Sequence, residues 1–368
     1  MQEEQRGAAM RPAQPIPLGH LWFTAHQDCR HTSDPETIMK ISRRALLASL
    51  AALSAMSMPA VGQPQDADSY PNKMVRIVVP FTSGGGTSNA ARFLADKLAA
   101  KWGQPVIIDN RPGGNTVIGS SMVAKSEADG YTLLFANTSH TINPSVMPSL
   151  PYDTLRDFAP VCTVLVNRFV LLTHPSMPAR DIRELVQQVR ADPDTYNLPT
   201  VGATGVGRLA GESLTQLMGV KLQNIPYKGT SDLATNLMGG QLKFALEIPG
   251  FYLPHIKSGK LHALAVSGDT RMPSLPDVPT LKEVGFGAFD TQSWYGLLAP
   301  AGTPEPVIEK IAADVTEIVQ SPDFATYLET IQSEPMVNTP EGFAALIDQE
   351  IPKYREQAKL ANIAVEPK

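Results

Sequence analysis

Val75-Arg-Ile-Val-Val-Pro-Phe-Thr-Ser-Gly-Gly-Gly-Thr-Ser-Asn-Ala-Ala-Arg92 is an apolar strand that runs into three glycines and straight on into a helix. A helix that starts this way leaves backbone N–H groups without partners, at the end where the helix dipole favours negative charge. Glycine lets the main chain approach a ligand with no Cβ in the way. The loop has no Gly-Lys-Ser/Thr, and Gly84-Gly-Gly86 lacks the G-x-G-x-x-G spacing. A small carboxylate therefore fits it better than a nucleotide phosphate.

Strand and helix patterns alternate from there. Val75–Pro80 is almost wholly apolar, as in a strand covered on both faces. A helix over Ala90–Trp102 places Ala91, Leu94, Leu98 and Trp102 on one side. Val106–Asp109 is the next strand and leads into the glycine turn Asn110-Arg-Pro-Gly-Gly-Asn115, with a helix after it. Tyr131–Ala136 is the third strand and ends at Asn137-Thr-Ser-His140. Beyond Pro160 come a strand at Phe169–Leu172, a helix at Ile182–Val189 and a second glycine junction, Gly202-Ala-Thr-Gly205, entering a helix over Leu209–Met218. Strands are expected at Leu242–Ile248 and Leu261–Ser267, and helices at Glu305–Val319, Phe324–Leu328 and Glu341–Leu360. Such alternation implies α/β architecture with open doubly wound sheets, whose ligands lie beyond the carboxyl ends of the strands. Two similar glycine junctions suggest two sheets facing each other, with one anion held between two helix starts.

Upstream, Met39-Lys-Ile-Ser-Arg-Arg-Ala-Leu-Leu47 opens an alanine- and leucine-rich run that closes on Ala60-Val-Gly62. A basic start, a short apolar middle and a small-residue end make an export signal over 39–62, and a soluble periplasmic product is expected. The paired arginines leave both the general secretory and the twin-arginine routes open. Residues 1–38 have no periodic apolar pattern and are expected to be a non-native or disordered extension. Removing residues 1–62 leaves about 306 residues, enough for two ordinary domains. That part keeps one of the two cysteines, Cys162, so no internal disulfide or metal-binding cysteine pair is expected.

Residues 1–62 hold 6 of 31 Lys+Arg and 5 of 36 Asp+Glu, so the remainder carries 25 against 31, a net of −6. Nucleic acid and anionic membranes are poor partners for such a surface. No His-Glu-x-x-His, Gly-x-Ser-x-Gly or Walker loop is present, and the histidines after residue 62 are widely spread. No metal, no cofactor and no catalytic group are expected, and the chain reads as a binder rather than an enzyme.

From about Tyr70 onward the chain resembles the Bug-family receptors, the extracytoplasmic solute-binding components of tripartite tricarboxylate transporters. The likeness rests on ordered motifs across this whole span. They include Asn110-Arg-Pro-Gly-Gly114, Asp129-Gly-Tyr-Thr-Leu133, Leu150-Pro-Tyr-Asp153, Leu209-Ala-Gly-Glu212, Pro226-Tyr-Lys-Gly229, Leu275-Pro-Asp-Val-Pro-Thr280 and Trp294-Tyr-Gly-Leu-Leu-Ala-Pro300. The resemblance implies a type II periplasmic binding protein with two doubly wound α/β lobes, a hinge and a ligand cleft. Lobe 1 is expected to be 70–167 plus 291–368, and lobe 2 to be 168–290. Family ligands are small carboxylates: di- and tricarboxylates, acidic amino acids and aromatic acids. The partner it implies is a membrane permease, with a sensor kinase as the alternative, and the receptor is expected to act as a monomer. An exported enzyme using the glycine loop as an anion site stays open as a further alternative.

Site residues carried over by the resemblance are Phe81, Ser83, Gly84, Gly85, Gly86, Thr87 and Ser88 at the first loop. Ser139 and His140 follow the third strand, then Gly202, Ala203, Thr204 and Gly205 at the second junction, and Glu247 at a strand end. Ser88 stands where many relatives have Asp, and Arg208 where many have His, so ligand identity is what these departures leave open. Ser139 and His140 could equally be turn residues. Arg208 is expected to face solvent rather than clamp a carboxylate. Asp109 and Arg111 are expected to fix their turn, and Trp294 and Tyr295 to pack where the chain returns to lobe 1.

Overall fold

The computed structural model describes residues 69–147, 149–289 and 291–363. The extension, the export signal and Cys29 lie outside the described residues. Along the chain, β1 (Val75–Val79), α1 (Gly86–Trp102), β2 (Val106–Asn110), α2 (Val117–Ala124), β3 (Thr132–Asn137), α3 (Ser139–Val146) and β4 (Phe158–Asn167) come first. Then follow β5 (Val170–Thr173), α4 (Ile182–Ala191), β6 (Asn197–Val201), α5 (Val206–Leu217), β7 (Gln223–Tyr227), α6 (Thr230–Met238), β8 (Phe244–Glu247), α7 (Leu253–Lys257) and β9 (His262–Val266). β10 (Ser293–Pro300), α8 (Glu305–Val319), α9 (Pro322–Ile331), β11 (Ser333–Pro335) and α10 (Pro340–Leu360) come last.

The larger sheet has six strands in the order β11-β4-β10-β3-β1-β2. β1 is apolar except for Arg76 because helices cover both of its faces. Val75, Ile77 and Val79 pack with Leu94 and Leu98 of α1 and with Ile311 and Val315 of α8. Val78 points the other way, into a cluster with Phe343 and Ile347 of α10. Each such side chain, fully buried, stabilises the fold by about 1.5–3 kcal/mol. α1 ends at Gly103, whose φ of 64° lets its N–H reach the Ala99 carbonyl.

The α/β class follows from the alternation, but strand direction does not. β1, β2 and β3 are parallel, whereas β10 runs antiparallel to both β3 and β4, so the sheet is mixed. β10 escapes the sequence pattern because Gly296 and Pro300 interrupt it. A Cβ at Gly296 would stand 2.8 Å from both the Cys162 carbonyl oxygen and the Phe343 ring, so the glycine is needed for close packing.

In the second region β5 lies between β8 and β9, antiparallel to both, while β6 and β7 form a parallel pair. Leu171, Phe244 and Leu246 face one apolar cluster, and Val170, Leu172 and Ala245 face another. The described residues of both regions belong to one compact unit. The chain crosses between them at 167–169 and again near 291–293. At the first crossing Arg168 pairs with Glu334 and also donates to Thr270. At the second, the Trp294 N–H donates to Thr138 Oγ1 at 3.0 Å, and the Trp294 indole donates to Glu350 Oε2 at 2.7 Å.

Candidate functional site

α1 begins at Gly86, four residues earlier than the apolar spacing suggests, because the glycines ahead of it are drawn into the helix start. Gly85 is its N-cap, with extended backbone (φ −76°, ψ 164°), and no side chain caps the helix. Its first turn contains no acidic residue. The first helical bond here runs from the Asn89 N–H to the Gly85 carbonyl, so the amides ahead of it lack a helical partner. Residues 82–86 are exposed, and a Cβ built on Gly84 or Gly86 would meet nothing within 4 Å. Gly84 has φ +85°, which a side chain would strain.

The loop is braced from behind. Asn110, at the end of β2, donates to the Phe81 carbonyl at 2.9 Å and to Ser88 Oγ at 3.0 Å. Ser88 is fully buried by this arrangement, so its hydroxyl faces the protein and not the loop's open side. Phe81 is half-buried against the core cluster. The Thr87 hydroxyl donates to the Tyr295 hydroxyl at 3.3 Å.

Beside this helix start lies a cavity of about 290 Å³ between the two regions. Gly86, Thr87 and Ala90 line one side, with Leu165, Asn167, Tyr295, Ile331 and Ser333 from the larger sheet and its neighbours. Thr230, Ile248, Gly250 and Phe251 line it from the second region. No charged side chain lines it among the described residues. Thr230 is the first residue of α6, whose N-cap Gly229 also has no side-chain cap. Two helix starts therefore do border one cavity, but the second belongs to α6 and not to the junction at 202–205.

The other expected site residues fall elsewhere. Gly202-Ala-Thr-Gly205 repeats the form of the first loop, with φ +77° at Gly202 and an uncapped Gly205 before α5, yet does not line the cavity. The Ser139 N–H is held by Asn137 Oδ1 at 3.1 Å, and Ser139 is buried. His140 is a core residue: its ring stacks on Tyr152 and meets Phe158 edge-on, and burial pushes its pKa down to about 4. Glu247 is buried beside Tyr252, and desolvation pushes its pKa up to about 8, so at neutral pH it is mostly an uncharged acid.

Arg208 does not face solvent as its place one turn into a helix suggests. It pairs with Glu212 Oε1 at 2.7 Å, with 12 % of its side chain exposed, and lines a separate cavity with Gln357 and Leu360 of α10. The i,i+4 spacing of opposite charges is the local cause. Asp109 accepts from Arg111 Nε at 2.8 Å beside their turn. Trp294 packs as expected, whereas Tyr295 combines packing on Phe135 with a place in the cavity wall. Apart from Gly86 and Thr87, the residues lining the cavity were not among the expected site residues, notably Tyr295, Phe251 and Thr230. Pro226-Tyr-Lys-Gly229 followed by Thr-Ser-Asp carries the signal for the last of these, since it is another strand–glycine–helix junction. Among the described residues there is no metal-binding cluster, and no helix is long and apolar enough to cross a membrane.

Comparison with known proteins places these features in a family. Residues 90–362 match the family described as the tripartite tricarboxylate transporter family receptor. Protein BugT of Bordetella pertussis is 34% identical over 296 residues, covering 80% of this chain and 91% of BugT. The structure of the periplasmic binding protein BugD superimposes with a TM-score of 0.69 at 31% identity, covering 81% of this chain and 100% of BugD. An R. palustris protein solved with adipate gives a TM-score of 0.71 at 30% identity, with the same coverage of each chain.

Proposed function

The chain belongs to the tripartite tricarboxylate transporter receptor family, and from that premise we propose that it captures a small carboxylate in the periplasm and delivers it to a membrane permease. In this reading residues 70–167 and 291–368 form one lobe, 168–290 form the other, and the two crossings act as the hinge. The carboxylate docks on the amides of Gly84–Thr87, and closure brings the opposing wall onto the rest of the molecule. Ligand shifts an open–closed population, and the closed monomer is what the permease meets. The ligand leaves unchanged, with no chemical step.

One observation carries the reading. An uncapped, exposed helix start with no acid in its first turn borders a cavity that no charged side chain lines among the described residues, so backbone dipoles supply the local positive potential there. Backbone donors in a confined site hold an anion without the desolvation cost of burying a lysine or arginine. Isothermal calorimetry on the chain from Gln63 onward tests it with a panel of small carboxylic acids. Saturable binding of an acid that is recovered intact is expected. A folded chain that binds none of them, or that converts a bound acid, refutes the proposal.

A further inference from the structure

We propose that the preferred ligand is a monocarboxylate with an apolar body, and that Phe251 is the residue that selects it. This rests on the carboxylate site at Gly84–Thr87 and narrows its substrate class.

Charge distribution around the cavity is the first ground. Both helix starts that border it lack a side-chain cap, but they are not equivalent. α1 has no acid in its first turn, whereas α6 has Asp232 in its own, and that carboxylate offsets the positive end of the α6 dipole. No Lys, Arg or His lines the space among the described residues. One carboxylate therefore has a station at α1. A second would lose its water with nothing of opposite charge to meet it, which is costly.

The apolar wall is the second ground. Leu165 and Ile331 on the side of the larger sheet, and Ile248 and Phe251 on the side of the second region, supply aliphatic and aromatic surface to the cavity. Phe251 is 48% exposed, a large aromatic ring left in water at the wall of a concave site. Its neighbours Tyr252 and His255 touch it at ring-centre distances of 5.5 and 5.9 Å, which leaves much of the ring open. An apolar ligand body covers that surface when it binds, and its burial adds to affinity, whereas a second carboxylate there opposes it. The volume of about 290 Å³ is at the bottom of the range for ligand pockets and suits one small acid.

Calorimetric titration of the chain from Gln63 onward compares hexanoate and benzoate with adipate and citrate. Hexanoate or benzoate is expected to bind at least about tenfold more tightly than either polyacid. Phe251→Ala should weaken that binding about tenfold, the loss of ~1.4 kcal/mol, while Phe251→Leu keeps most of it. Circular dichroism confirms that both variants fold. Adipate or citrate binding as tightly as the monoacids overturns this inference and leaves the carboxylate site standing. Phe251→Ala with unchanged hexanoate and benzoate affinities overturns the role of Phe251. Failure of all four acids to bind a folded chain overturns both this and the carboxylate site.

Discussion

Gly85→Asp should make the protein more stable and unable to bind its ligand. Gly85 has φ −76° and ψ 164°, a conformation open to any residue, and a Cβ there meets only the Thr82 carbonyl oxygen, at an ordinary 3.7 Å. Aspartate is also among the best N-cap residues, and its side chain would accept from the amides of Thr87 or Ser88. Capping gains a few tenths of a kcal/mol over glycine. The helix dipole adds about 0.3–1 kcal/mol for a negative charge at this end. Together these amount to about 1 kcal/mol, or roughly 2 °C in Tm for a chain of this size. The same carboxylate occupies the donors intended for ligand and repels it. Two like charges ~4 Å apart at an effective dielectric of ~20 cost about 4 kcal/mol, roughly a thousandfold in Kd. Gly85→Ser, which caps without charge, should lose much less. Scanning calorimetry reads the stability, and isothermal titration with the tightest of the four acids reads the affinity. Wild-type affinity in Gly85→Asp would refute the anion site, and a lower Tm would refute the cap geometry.

Three further outcomes follow from buried groups. Glu247 holds a proton up to about pH 8 in the folded chain but releases it near 4.5 once unfolded, so stability falls as pH rises through that window, at ~1.4 kcal/mol per unit. Glu247→Gln should remove this fall and gain about 3 kcal/mol on the wild type between pH 4.5 and 7, measured by urea denaturation; a pH-independent difference would count against it. His140 is shifted the opposite way, so its contribution is complete above about 6.5 and is lost as pH drops towards 4. Its ring proton signals in NMR should stay at the neutral position down to pH 5.5, and a midpoint near 6.5 would contradict the burial. Burial pushes the Cys162 thiol up to about 12, so in the chain from Gln63 onward it should resist thiol reagents at pH 8 until the protein unfolds; rapid labelling of the native protein would disprove this.

How much was legible earlier differs from one element to the next. β1 and the glycines after it could be read because a doubly covered strand and a helix start each leave a local mark, near-continuous apolarity and residues without a Cβ. α8 was legible to the residue, since Glu305–Val319 keeps one apolar face along its length. β10 was not, because its glycine answers to Cys162 and Phe343, far away in sequence. His140, polar and next to a strand end, looked like a site residue until packing placed Tyr152 and Phe158 against it. Glu247 had the same fate beside Tyr252. The second helix start at the cavity was in plain view at Gly229, yet nothing local ranks it above 202–205, which holds two glycines to its one.

The order of residues thus determined the α/β class and the strand–glycine–helix junctions, which depend on neighbours within a few positions, and the family likeness, which depends on the order of short motifs along the chain. Which helix starts share a cavity, which polar side chains turn inward, and that Tyr295 and Phe251 face the same space were decided only by tertiary structure. The cavity gathers residues from Gly86 to Ser333, and the burial that turns His140 and Glu247 inward comes from how whole elements pack, so neither is marked by the local residue pattern.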